Sequence, residues 1–363
     1  MSSLIPHSIK WGVIGLGRCG ANLAEEFYLR NYPVLALNSS TTDFRACRLP
    51  QEFKLHLGWK NRDGAGQDVS IGEKALENNR RIILDKIAAS FEDSDNLLLT
   101  AGLGGGTGSV IPTLTQILTA LDKPLHALIS IPADSDGSIA KINAVRMLDR
   151  LLKSSIRSIS VIDNQKLVAQ TFNTSLTDIY RPGNRKIVAA FDAVNKISRN
   201  LLYKPLLGFD AEDLRKIFEH RGLLHFQSIP LSKLEISDLN LLIKLFTYSL
   251  QDGGLLASGM PLSHAACAAL ILILPPTLLK EMDYNLHNGF LDYVKETFIS
   301  SSIFTGIFQS PENEDGNLVV VISGLPYLDR IQELLQNAKD EGKRLSLKAA
   351  ASLSNLDLSN FRM

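Results

Sequence analysis

The run Ala101-Gly102-Leu103-Gly104-Gly105-Gly106-Thr107-Gly108-Ser109 constrains this chain more than any other feature. An apolar segment of strand length, Asn96 to Ala101, leads into it, and a helical stretch from about Thr113 to Leu121 leaves it. Consecutive glycines are costly in chain entropy and are poorly explained by packing, so a strand-to-helix junction holding three of them points to backbone that must approach another group closely. At a helix N-terminus, free amides and the helix dipole make that group an anion. No Gly-Lys-Ser/Thr follows, so the lysine of a Walker loop is missing. Phosphates would then rest on amides, on the Thr107 and Ser109 hydroxyls, and on a metal ion.

Two further glycine loops lie upstream. Gly15-Leu16-Gly17-Arg18-Cys19-Gly20 joins an apolar run starting at Lys10 to a helical stretch, Ala21 to Arg30, and Pro33 to Asn38 is a second apolar run ending in Ser39-Ser40-Thr41-Thr42-Asp43. This is a βαβ unit. Gly64-Ala65-Gly66 precedes a helix expected over Glu73 to Ser90, and Leu125 to Ile131 and Ile159 to Ile162 are further strands. The alternation predicts a doubly wound parallel sheet through about residue 180. Alone, the first loop would also suit an NAD(P)-dependent oxidoreductase, but that reading wants an acid at the end of the second strand for the ribose, and Asn38 stands there.

The pattern breaks at Arg181-Pro182-Gly183-Asn184, and Arg185 to Leu202 reads as a helix with apolar residues at Ile187, Val188, Phe191, Val194 and Ile197. Beyond it come strands at Leu270 to Leu274 and Leu318 to Ile322 and a helix at Tyr327 to Asp340. At 363 residues, about two domains are expected. The division read here is a nucleotide-binding domain over 1–184, a connecting helix over 185–207, a smaller mixed domain over 208–345 and a tail over 346–363.

Lys plus Arg and Asp plus Glu each number 38, which leaves no global field for a polyanion, so direct nucleic-acid binding is not expected. Three cysteines without a CxxC pair and seven histidines without ligand spacing argue against a disulfide scaffold or a zinc site. Cys19 reads as a small apolar filler. No run reaches the ~20 apolar residues that would span a bilayer, and the expected compartment is the cytoplasm.

With these residues in place, the loops resemble those of the tubulin/FtsZ superfamily. Gly104-Gly105-Gly106-Thr107-Gly108-Ser109 looks like the family's signature phosphate loop. Val13 to Asn22, with Gly17, Arg18, Cys19 and Asn22, resembles its first nucleotide loop, Asn38-Ser39-Ser40 the second, and Gly64-Ala65-Gly66 the third, which in relatives faces the γ-phosphate. Pro132 to Gly137 resembles the ribose-side loop, with Asp136 where the family places an acid and Ala140 where relatives often carry arginine. Asn164 matches the asparagine that reads the guanine edge. Phe191 and Asn195 match the stacking and base-binding residues of the central helix. The resemblance leans toward the plasmid-partition branch, TubZ, at Ile162 to Leu167 and Ser323 to Pro326. It implies a GTPase domain on a doubly wound parallel sheet, joined by a central helix to a smaller α+β domain, with GTP or GDP and Mg²⁺ as ligands.

Asp210 and Asp213 stand three apart ahead of Leu214. On residues alone they read first as an N-cap and capping box, with acids at the favourable end of the helix dipole. The resemblance implies a second role, because the segment matches the family's catalytic loop, which enters the nucleotide pocket of the next subunit. It further implies a head-to-tail filament, with plasmid or phage DNA segregation through a DNA-binding adaptor ahead of an FtsZ-like division or shape role. The family's asparagine at the start of this loop is Gly208 here.

Overall fold

The computed structural model describes residues 7–169 and 180–354, the last ten by backbone alone. Its strands are β1 (Trp11–Leu16), β2 (Val34–Asn38), β3 (Lys54–His56), β4 (Asn96–Gly102), β5 (Leu125–Ile131), β6 (Ser158–Asp163), β7 (Lys204–Leu207), β8 (Gly222–Leu231), β9 (Cys267–Leu274), β10 (Ser302–Gln309) and β11 (Gly316–Leu325). They form one sheet in the order β3-β2-β1-β4-β5-β6-β8-β11-β9-β10-β7. From β3 to β8 neighbouring strands run parallel, in register from Trp11 opposite Asn96 through Leu97 opposite Leu125 to His126 opposite Ser158. Every residue of β1 and β5 is buried, which is why these strands read as continuous apolar runs: helices cover both faces.

One face carries the helices Val69–Asn78, Arg80–Ser90, Ile111–Leu118 and Ser138–Leu152 over a core that includes Ile83, Leu114 and Leu148. The other carries Gly17–Tyr28, Arg181–Lys196 and Ala211–Glu219 over Leu23, Phe27, Val188 and Ile217. The N-terminal parallel strands meet the C-terminal ones through a short ladder, Ser158 opposite Gly222 and Ile159 opposite Leu223. In the C-terminal part β11 runs antiparallel to both β8 and β9, and β7 is an edge strand antiparallel to β10.

Three boundaries differ from the sequence expectation. The helix expected over Glu73 to Ser90 is two helices, because the Asn79 side chain donates to the Gly58 and Ala75 carbonyls and turns the chain. The connecting helix spans Arg181–Lys196, with one 3₁₀ turn to Arg199, and residues 204–207 are strand, not helix. It starts early because Pro182 suits the first helical turn. The final helix is Asp329–Ser354, so it takes in part of the stretch that reads as a tail from residue 346. Among the described residues no helix is long and apolar enough to cross a membrane.

Candidate nucleotide-binding site

A cleft of about 790 Å³ opens at the carboxyl ends of β1, β2, β4, β5 and β6, where ligands bind in open parallel sheets. The glycine loops converge on it. Gly17, Arg18, Cys19 and Asn22 line it from the first loop, Asn38 from the second, Gly64, Ala65 and Gly66 from the third, and Gly104, Gly105, Gly106, Thr107 and Gly108 from the signature loop. Pro132, Asp136 and Asn164 complete the sequence-derived residues at its wall.

Close backbone packing explains one of the glycines, and open space another. Gly17 has φ +71°, and a Cβ there would come within 2.9 Å of the Gly108 amide nitrogen. At Gly105 nothing lies within 4 Å of a would-be Cβ, so this glycine leaves open space in the cleft where a phosphate can seat against the main chain. The helices Gly17–Tyr28 and Ser138–Leu152 begin at the cleft without a side-chain cap. Their free amides are ready-made donors for an anion. Arg18, Arg48 and Arg181 bring positive charge to the wall, which also carries Glu25, Glu26, Asp43 and Asp136.

Ser39 and Ser109 stand behind the wall rather than on it. The buried Ser39 hydroxyl shares a 2.6 Å hydrogen bond with Thr107 Oγ1, and the Ser109 hydroxyl donates to the Leu103 carbonyl. Both hold the signature loop in shape. Asp136 accepts from the Ala133 amide at 2.8 Å, which fixes the ribose-side turn. Cys19 lies 3.2 Å from Ser130 Oγ, and burial pushes its thiol pKa up, in keeping with a filler.

Phe191 and Asn195 are not at the cleft, and that expectation is corrected. Phe191 is 3% exposed and packs edge-on against Trp11, Phe27 and Phe226 at 5.3–5.6 Å between ring centroids. Asn195 pairs with both main-chain groups of Ile9 at 3.0 Å and donates to Tyr32 Oη at 3.2 Å. The cleft instead receives Tyr180 and Asn184, an aromatic residue and an asparagine four apart, each eleven residues earlier. Eleven residues are three helical turns, so both pairs share one helix face about 16 Å apart along the axis. The signal was present in Tyr180-Arg181-Pro182-Gly183-Asn184, where proline marks the first turn. Burial, with Asp136 and Cys19 nearby, raises the Tyr180 phenol pKa.

Sequence reasoning also missed an ion network at this end. Glu25 accepts from Arg181 Nη2 at 2.6 Å and from the Arg48 amide at 2.9 Å, while Glu26, 2% exposed, sits 3.6–3.8 Å from Arg30, Arg181 and Arg185. It clamps the start of Arg181–Lys196 to Gly17–Tyr28 and so positions Tyr180 and Asn184. Across the cleft, Arg330 from the final helix holds Asp134 and the buried Asp163 at 2.9 Å, beside Asp136 and Asn164.

Asp210 and Asp213 lie elsewhere. Asp210 caps Ala211–Glu219, accepting from the Glu212 and Asp213 amides at 2.8 and 3.0 Å, while Asp213 accepts from the Asp210 amide at 3.1 Å. On the same helix Arg215 donates to the Ser8 carbonyl, just before β1 begins. The cleft is at the other end of β1, which spans about 20 Å. These acids therefore face away from the cleft of their own chain.

The converging glycine loops, uncapped helix ends and aromatic–asparagine pair define a mononucleotide-binding protein on a doubly wound sheet. Residues 10–171 match the Tubulin/FtsZ family, GTPase domain. The chain is 27% identical over 339 residues to the tubulin-like protein CetZ of Thermococcus kodakarensis, covering 90% of this chain and 85% of that protein. It is 24% identical over 388 residues to the tubulin-like protein TubZ of Bacillus cereus, covering 96% and 87%. Among solved structures it superposes on the GTPγS-form protofilament of Bacillus thuringiensis serovar israelensis TubZ with TM-score 0.82, 21% identity and 96% coverage of both chains. The protein thus has the tubulin/FtsZ fold, with a GTPase domain of the Tubulin/FtsZ family over residues 10–171. A GTP/GDP ligand goes with that domain, and the NAD(P) oxidoreductase alternative is set aside.

Proposed function

We propose that the chain assembles head to tail into a cytoplasmic filament and hydrolyses GTP when Asp210 and Asp213 of one copy enter the cleft of the next. The observation that carries this reading is the placement of the acids at the opposite end of β1 from the cleft, which a translational stack of copies brings together. The likeness to a TubZ solved as a protofilament supports it. In that arrangement Tyr180 stacks on the base. Asn22, Asn164 and Asn184 present amides that both accept from and donate to a guanine edge. The amides of Gly104 to Gly108 hold the phosphates.

The two carboxylates then orient the attacking water, which is sound chemistry for phosphoryl transfer, where positioning and charge stabilisation dominate. Among the described residues no three His, Cys, Asp or Glu side chains gather as a metal cage. That suits Mg²⁺, which is bound through substrate phosphates, water and few protein groups. Bound there, it would offset phosphate charge that the loop, without a lysine, leaves uncompensated.

Phosphate release measured across protein concentrations, with sedimentation alongside, tests the shared site. The expected result is turnover that rises above a critical concentration and is lost in Asp213→Ala while polymer persists. Turnover linear in protein without pelletable polymer would overturn it. For cargo, plasmid or phage DNA held through an adaptor follows the likeness to TubZ. A division or shape filament is the second reading, favoured because identity to CetZ is higher than to TubZ. Plasmid loss without change in cell form on deletion selects the first.

A further inference from the structure

The rim of the cleft carries an unusual concentration of charge around one aromatic ring. Trp59, half-buried, lies three residues after β3 and has Lys60 Nζ, Lys74 Nζ and the Arg62 guanidinium carbon at 4.9, 5.5 and 5.7 Å from its ring centroid. All three cations are exposed. Among the described residues neither Lys60 nor Arg62 lies in an ion pair, while Lys74 is near enough to Asp68 to favour its charged form. Asp63 accepts from Thr41 and Thr42, Asp68 from Ser70, Glu73 pairs with Arg150, and Glu77 faces Arg80.

The turn that carries two of these cations is strained. Lys60 and Asn61 both adopt positive φ, 47° and 56°, and Trp59 bridges Arg62 across them, a conformation that glycine, asparagine or aspartate would hold more cheaply than lysine. Like charges gathered in a strained turn and left unpaired fit a surface that meets an opposite charge from outside the chain. The indole face supplies part of the compensation meanwhile.

We propose that this patch is a docking surface for a second copy of this chain, and that Glu212 of the incoming acidic helix is what it receives. The inference rests on the head-to-tail reading above. Glu212 is exposed, lies between Asp210 and Asp213 in the first turn of its helix, and has only a 3.4 Å contact with Arg215. If Asp210 and Asp213 enter the cleft beside Gly64–Gly66, the third acid of that turn comes over the adjoining segment, residues 59–62. The patch is positive, the incoming turn is negative, and the two lie at opposite ends of each copy. Complementary charge placed this way sets register and encounter rate and makes association salt-dependent.

The test uses the full-length chain. Lys60→Glu with Arg62→Glu is expected to raise the critical concentration for assembly at least tenfold at low salt and to flatten its salt dependence. GTP binding, measured below the critical concentration, should stay within twofold of wild type. Glu212→Lys alone should give a similar rise. Because every copy carries both surfaces, the chain with all three changes should assemble within threefold of wild type. The emission of Trp59, the half-exposed one of the two tryptophans, should shift to the blue on assembly.

Assembly of Lys60→Glu/Arg62→Glu at the wild-type critical concentration would overturn the inference, as would a triple variant no better than the double. Loss of oligonucleotide binding in the double variant, with assembly intact, would overturn it in favour of nucleic acid. Wild-type protein that binds GTP but forms no polymer would remove the head-to-tail reading and this inference with it.

Discussion

Replacing Asp210 by asparagine and by alanine separates its structural role from its proposed catalytic one. Its carboxylate accepts two main-chain hydrogen bonds, from Glu212 and Asp213, and the Asp213 carboxylate accepts one from the Asp210 amide. Alanine removes the cap and leaves those amides to solvent, which costs about 1 kcal/mol of stability. Asparagine ranks level with aspartate as a cap, so Asp210→Asn should lie within ~0.3 kcal/mol of wild type by urea unfolding. Turnover should behave differently. Asparagine carries no charge with which to orient and polarise water, and losing such a group lowers the rate by roughly 10²–10⁴.

Asp210→Asn is therefore expected to keep its unfolding midpoint and critical concentration while phosphate release falls at least ~10²-fold. Amide hydrogen bonds, that of Asp213 first, hold the Asp210 carboxyl below the usual carboxylate range. In the unassembled wild-type chain the Asp210 carboxyl should thus titrate below that range, as carbon-13 NMR would read. Wild-type phosphate release in Asp210→Asn would refute the catalytic assignment. A stability loss in Asp210→Asn equal to that of Asp210→Ala would refute the capping argument.

The remaining predictions concern the base end and the core. Tyr180→Ala should weaken binding of a fluorescent guanine nucleotide about tenfold or more, through the loss of roughly 1–3 kcal/mol of stacking. Phe191→Leu should leave that affinity unchanged and lower only the unfolding free energy. Arg330→Ala strands the buried Asp163 carboxylate and should cost about 3–5 kcal/mol by chemical denaturation, and Lys at this position should not restore it, because it lacks the planar fork that reaches both Asp134 and Asp163.

Acidification tests two buried histidines. Burial lowers the pKa of His126 to about 3 and that of His225 to about 4. Between these values and the ordinary histidine range the unfolded chain binds more protons than the folded one, so stability falls as pH falls. The contribution approaches about 1.4 kcal/mol per pH unit for each histidine. His126→Leu should reduce that slope by up to one proton in pH-dependent unfolding, and an unchanged slope would refute the assignment.

The glycine-loop end of the cleft was legible in the sequence because its geometry is local. Glycines that must pack backbone to backbone, as Gly17 does on Gly108, announce themselves wherever they fall between a strand and a helix. The end of the cleft lined by Tyr180 and Asn184 was not legible. An aromatic residue and an asparagine four apart recur on one face of Arg181–Lys196, at Tyr180 with Asn184 and again at Phe191 with Asn195. Periodicity identifies the face and leaves open which turn reaches the cleft. Packing decides that: Trp11, Phe27 and Phe226 close around Phe191, and Glu25 clamps Arg181 at the other end.

By itself the sequence determined the βαβ alternation, the glycine loops of the cleft and the capping box at Asp210, all built from residues within a few positions of one another. Tertiary structure alone decided the register of the central helix, the bridge from Arg330 to Asp134 and Asp163, and the separation of Asp210 from its own cleft by the length of β1. The physical reason is range. Backbone conformation and helix capping depend on neighbours along the chain, whereas ion pairs and buried aromatic contacts form between residues up to about two hundred positions apart, once the core has set their distance.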